Sequence, residues 1–418
     1  MKIKLQLADL LILITVASCL FNVVFNNLPA GLGSTRFWAP MALISIIITR
    51  FEVLTISPCK YVVFFGISSV VILQYTLWKH MGDLDIHAIL FEFSSLFTFT
   101  VIWGYYFLRH DFKRLAFISK WLFIFIIITL VMTNIALSID PLIVRNSAFL
   151  FGKNIYQVRL FKLTGAAGYG YAQAFILLIP ILIYHIKNRK KMVFSHKVLI
   201  VILIGIIITT LRAQVFANVL VTVAVSILAI MGSKKKYLAY IYLAITFIII
   251  MIIPISFYVQ IITELAVHVD PDTELYRKLN DFALFIEYPE IDNSTATGYR
   301  TERYPMLFEA LSAKPFFGIA SYKRPYSKGG GGQHLYWMYR LALWGVTGFL
   351  FFIYVLNKIY KSITSVLVDS EVKFYYFLSV LAYVMFGLIK NISGREPLLF
   401  IIVVIPGLYF LPLLEKDK

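Results

Sequence analysis

The sequence predicts an all-α polytopic membrane protein with about twelve transmembrane helices and both termini in the cytoplasm. Three observations carry that prediction. Hydrophobic residues make up 60% of the 418 residues and charged residues only 15%, with a mean hydropathy of +0.81. The apolar residues come in long blocks and not in the stripes of soluble amphipathic helices. The basic runs RHDFKR (109–114), KNRKK (187–191) and SKKK (233–236) all fall on one side when the blocks alternate across a bilayer, as the positive-inside rule requires.

A spanning helix needs roughly 20 mostly apolar residues. Blocks of that kind lie near 8–27, 37–50, 61–78, 88–108, 121–139, 172–186, 198–211, 213–232, 237–257, 334–357, 374–390 and 397–413. The first reads as an uncleaved anchor, because its apolar block is long and no small-residue cleavage site follows. Lys2, Lys4, Lys416 and Lys418 then join the basic runs on the cytoplasmic side. The chain reads as one integral membrane domain, 1–418, with long outer loops at 140–171 and 258–333. The second loop lies between spans nine and ten. Within it, Asp270–Pro271–Asp272 predicts a helix start with Pro at the first helical position. Leu275, Leu279, Phe282 and Ile286 then mark the apolar face of an amphipathic helix over 274–288. A further helix is expected over 302–313, stopping before Pro315.

The net charge is +17, from 39 Lys+Arg against 22 Asp+Glu. Positive charge in the two long outer loops escapes the retention rule. It reads either as a solvated basic surface or as the seat of an anionic partner, such as a lipid-linked phosphate. Nucleic acid is not expected, since no DNA- or RNA-binding module is visible. Cys19, in the first span, and Cys59, at a cytoplasmic end, are not placed to pair. No CxxC, HExxH or Walker loop occurs, and neither a metal nor a cofactor is expected. Gly329–Gly332 lacks a strand–helix setting and reads as a flexible tether.

Ionisable residues at bilayer depth or at its boundary are functional candidates. Arg212 ends one apolar block and directly precedes another. It can snorkel to headgroups or turn its planar fork onto a phosphate. Arg300 and Arg303 share a face if 299–313 is helical, with Glu302 as a neighbouring ion-pair partner. His334 opens the tenth block, and an imidazole with an ordinary pKa of about 6.5 suits a general base. Arg340, six residues on, needs an interior partner. Arg159 precedes TGAAGYGYAQ, whose glycines allow a close turn into the sixth span. Arg395 and Glu396, in NISGREP, form the last outer turn, which either lines a cavity or simply bounds the helix.

In that order, these features resemble the O-antigen polymerase/ligase family of bacterial surface-polysaccharide assembly. The resemblance rests on Arg212 at the outer start of a span, Arg300 followed by Tyr304, Pro315–Phe–Phe–Gly318, His334, and Gly345–Val–Thr–Gly348. RLFKLTG, ending at Gly165, is similar to the family's Arg-containing entry to an earlier span. The motifs cover about a third of the chain. Leu335 stands where the family often has Asn, Ala320 where it has Gly, and Tyr304 where it has Trp. The first departure favours polymerase over ligase.

The resemblance implies a membrane glycosyltransferase of the bacterial inner membrane with its active site facing the periplasm. Its donor would be an undecaprenyl-diphosphate-linked oligosaccharide, its chemistry inverting and metal-independent. His334 would be the catalytic base, with Arg212, Arg300, Arg159 and Arg303 holding the diphosphate. Tyr304, Arg340 and Arg395 would line the cavity or the acceptor side. Membrane lipid and a chain-length regulator are the expected partners. The alternatives are an O-antigen ligase acting on lipid A-core and, more distantly, a polysaccharide flippase or transporter. A flippase would carry acids deep in its spans, for which Glu92 is the main candidate.

Overall fold

The computed structural model describes residues 5–29, 31–79, 86–146, 155–188, 194–213, 215–232, 255–271, 274–287, 303–318, 335–392 and 394–414. The described residues are helical, with no strand among them. Helical residues occur in every expected span except 237–257, most of which lies outside the described residues, and three of the expected spans, 8–27, 172–186 and 397–413, are broken into shorter elements. Four helical runs are long and apolar enough to cross a membrane: Phe112–Ile139, Ile155–Lys187, Tyr336–Val366 and Ser370–Ile389. Shorter apolar helices accompany them.

The chain forms two compact units, one of residues 1–81, 85–233 and 350–418, the other of 82–84 and 234–349. In the first, α1 (Leu7–Leu20) packs against α3 (Thr35–Thr49) and α6 (Phe112–Ile139). The expected first span is broken. Phe21 leaves helical geometry at φ −109°, ψ 63°, and α2 (Asn22–Phe25) starts after it. α4 (Cys59–Lys79) pairs with α5 (Ile86–Leu108). The expected loop 140–171 contains α7 (Ile143–Asn146) and α8 (Ile155–Thr164). Asp140 fastens its start, accepting from Leu142 N at 2.8 Å and Gln157 Nε2 at 3.0 Å. Its apolar underside, with Ile143, Val144 and Leu160, is buried in one cluster with Ala136 and Ala213.

The expected sixth span is also interrupted, as α9 (Tyr169–Leu177) and α10 (Ile179–Lys187), because Pro180 supplies no N–H to bridge the junction. α11 (His196–Arg212) packs on α6, and α12 (Phe216–Met231) packs on α10. A later helix, whose second half (from 350) belongs to this unit, sets Phe351 and Tyr354 against Phe64 and Tyr61 of α4. Past the helix Ser370–Ile389, the chain re-enters at Arg395–Leu399. It widens to a π turn over Phe400–Val404 and continues as Ile405–Tyr409. The wide turn lies just ahead of Pro406, whose ring would meet the carbonyl of Ile402 in a regular helix.

The second unit contains α13 (Ile255–Val267), α14 (Glu274–Glu287), α15 (Arg303–Ala313) and the first part of α16 (Tyr336–Val366). α13 packs on α14. The amphipathic helix expected over 274–288 is α14. It does not begin at Pro271, because Asp270–Pro271 belongs to the turn leaving α13, closed by Val269 N on Ala266 O at 3.0 Å. α15 stops at Ala313, ahead of Pro315. The helices that follow α16 are numbered α17 (Ser370–Ile389), α18 (Arg395–Leu399) and α19 (Ile405–Tyr409).

Candidate functional site

Three segments singled out in the sequence meet at the C-terminal end of α1. The carbonyl of Leu20 accepts from Thr129 Oγ1 and Tyr171 Oη, both at 2.8 Å. Gln173 Nε2, midway along α9, donates to the carbonyl of Asn391 at 3.1 Å. A Cβ on Gly170 would stand 3.1 Å from Glu396 Oε2, so only glycine admits that carboxylate without displacement. The turn TGAAGYGYAQ and the turn NISGREP are therefore interlocked.

Arg395 lies at the centre of this region. Its Nη1 donates to Thr35 Oγ1 at 2.7 Å, and its Nε meets Glu396 Oε1 at 3.4 Å. Thr35 Oγ1 also accepts from Ser18 Oγ at 3.0 Å. Nη2 of Arg395 has no hydrogen-bond partner among the described residues. The guanidinium lines a cavity of about 430 Å³ walled by α3 and α5, with Arg36, Leu43, Phe93 and Phe97 also in its lining.

Arg212, the last residue of α11, is exposed. Its Nη1 donates to Ser138 Oγ at 2.5 Å and reaches the carbonyl of Asn134 at 3.5 Å. One corner of the fork thus closes the last turn of α6, while the rest faces outward. Arg159 is exposed on α8, which also packs on α6. Among the described residues no hydrogen bond joins Arg159, Arg212 and Arg395 to one another.

In the second unit, two glycine motifs quoted for the resemblance touch each other. α16 is two helices joined at a kink, where Gly345 adopts φ +63°, ψ −178°. The break frees backbone N–H groups inside an apolar segment, where each must find an acceptor. Pro315 and Phe316 supply them: Val346 N donates to Pro315 O at 2.7 Å and Thr347 N to Phe316 O at 3.2 Å. Gly318, at φ +72°, completes the contact. A Cβ on Gly318 would fall 2.2 Å from Leu343 O, and one on Gly345 2.5 Å from Gly318 N. Both positions need a left-handed backbone and a missing side chain.

Arg340 sits within the short half-helix so formed and is 2% exposed. Its guanidinium lies 5.1 Å from the Tyr336 ring centroid, 5.5 Å from Tyr339 and 5.2 Å from Trp344. The interior surroundings that the sequence demanded for it are aromatic, each ring contributing about 1 kcal/mol or more when desolvated. Arg303 and Tyr304 form the first turn of α15. Arg300, His334 and Gly329–Gly332 lie outside the described residues.

Sequence reasoning missed the opposite end of α1. Asp9, 1% exposed, accepts from Gln6 N at 2.8 Å and Tyr106 Oη at 2.9 Å, and meets Arg114 Nη1 at 3.4 Å. An acid inside the first apolar block was the available signal. Thr35, the link between Arg395 and α1, carried none. A comparison with protein-family models finds no match, and a comparison with curated proteins finds none either.

Proposed function

We propose that the protein polymerises lipid-linked polysaccharide repeat units, transferring glycan from undecaprenyl diphosphate to a sugar hydroxyl at the periplasmic face of the bacterial inner membrane. The observation that carries this reading is the docking of Pro315–Gly318 onto the helix break at Gly345. Two motifs of the resemblance, separate in sequence, become one built feature next to the helix that His334 precedes. The convergence of residues 165–173, 209–212 and 391–396 towards one end of α1 and α6, with the basic segment 109–114 at the other, supports the sidedness this reading gives to those segments.

The chemistry follows from the donor. A diphosphate leaving group needs fixed positive charge rather than a strong acid, and Arg212, Arg300, Arg159 and Arg303 supply it. The acceptor hydroxyl oxygen bonds to the anomeric carbon as the carbon–oxygen bond to the diphosphate breaks. His334 takes the hydroxyl proton, and attack opposite the leaving group inverts the anomeric configuration. α14, amphipathic and beside α13, would shield the reacting centre.

Deleting the gene in its native host and resolving the surface glycan on a gel tests the assignment. Loss of the ladder with one repeat unit still attached is the outcome for a polymerase. Loss of all attached glycan would reassign it as a ligase onto lipid A-core. Accumulation of lipid-linked repeat units on the cytoplasmic face would point to a flippase and overturn both.

A further inference from the structure

The cavity at Arg395 has a composition that selects its ligand. At its head the Arg395 guanidinium meets one carboxylate, Glu396, and Arg36 is a second basic residue of the lining. Arg395 spends Nη1 on a neutral hydroxyl, and its Nε–carboxylate contact is long at 3.4 Å. The donors of Nη2 remain for an anion, in the planar arrangement that suits a phosphate. Beyond the head the lining is mostly apolar, with Leu43 of α3 and Phe93, Phe97 and Phe99 of α5, interrupted by Ser94, Ser95 and Thr98. An ion of free phosphate would leave these walls wet. A purely apolar ligand would leave the Nη2 donors desolvated without an acceptor.

We propose that this groove seats the phosphate-bearing end of a single-chain lipid, with the phosphate on Arg395 and the first part of the chain between α3 and α5. The volume, about 430 Å³, accommodates the first part of one chain beside the headgroup. Identifying the occupant as a polyprenyl-phosphate carrier rests on the glycan-transfer reading above; the groove alone gives the class. Polymerisation uses two carriers at once, one bearing the growing chain and one the new repeat, so a second lipid seat has a place in that reaction.

The test is photolabelling of the full chain in nanodiscs of zwitterionic lipid, using a diazirine-bearing polyprenyl phosphate. Cross-links are expected on residues 39–43 and 93–97. Arg395→Gln should lower labelling about tenfold, the scale of one charge-assisted phosphate contact. Leu43→Trp, which fills the groove and leaves both arginines, should lower it as much. Labelling elsewhere, or unchanged labelling in properly folded Leu43→Trp, would overturn the proposal. So would equal competition by phosphatidylglycerol, which has two chains, or by inorganic diphosphate, which has none. The readout needs no turnover, so it stands or falls separately from glycan transfer.

Discussion

The two ends of α1 both carry an arginine in apolar surroundings, and they use it in opposite ways. At the N-terminal end, Arg114 meets two carboxylates, Asp9 at 3.4 Å and Asp111 at 3.1 Å, and the Asp9 side chain is wholly buried. Tyr106 and the Gln6 backbone take the remaining acceptor capacity. At the C-terminal end, Arg395 has one neighbouring carboxylate, donates to a hydroxyl and borders an open cavity. The two ends are about 20 Å apart along the helix. A closed network of this kind holds helices together. A cation with spare donors beside a cavity is placed to hold something else.

That contrast orders a set of expected outcomes. The largest concerns the closed end. Asp9→Leu would leave the Tyr106 hydroxyl and the Gln6 N–H without their acceptor, and would cost about 3 to 4 kcal/mol. Unfolding in detergent measures it, and a loss below about 1 kcal/mol would mean the network is not structural.

Gly345→Ala comes next. It forces a side chain into the left-handed region and against the Phe316 and Gly318 backbone, at about 3 kcal/mol. Gly348→Ala, in the same motif but away from the docked loop backbone, should cost clearly less. Equal losses for the two would remove the docking explanation.

For the open end, Arg395→Gln breaks one long contact of a partly buried pair and should change stability by about 1 kcal/mol, while lipid labelling falls about tenfold. A stability loss as large as that of Asp9→Leu would make the two ends alike and erase the contrast. Smallest of all, Thr35→Val removes one hydrogen bond that aims the guanidinium. Labelling should fall about threefold, in line with a single net hydrogen bond; unchanged labelling would show that Thr35 does not orient Arg395.

Much of this fold could be read directly from the chain, and for one reason. Apolar blocks without charge have few ways to satisfy their backbone except as helices, so α3 to α6, α9 to α12, α16 and α17 follow the blocks, whereas α7, α8 and most of α13 lie in stretches expected as loop. The breaks were harder to read. Phe21 has no helix-breaking chemistry of its own, whereas Leu178 is broken through Pro180. At the candidate sites, residue types were legible but their meetings were not. Gly318 and Gly345 read as separate motifs, yet each is glycine because of the other's backbone. Thr35 and Arg395 are 360 positions apart, and no local pattern joins a lone threonine to a distant arginine. Asp9 was overlooked because hydropathy averages absorb one acid in a long apolar run.

The most direct measurement is glycan transfer by the purified chain in nanodiscs, supplied with lipid-linked repeat units as both donor and acceptor and compared with His334→Ala. The wild-type protein should lengthen the lipid-linked glycan with inversion at the new linkage. His334→Ala, at equal folded abundance, should lose at least about 100-fold in rate, the lower range for a positioned general base. Wild-type turnover by His334→Ala would contradict the proposed base, and the absence of lengthening by the wild-type chain with these substrates would contradict the polymerase itself.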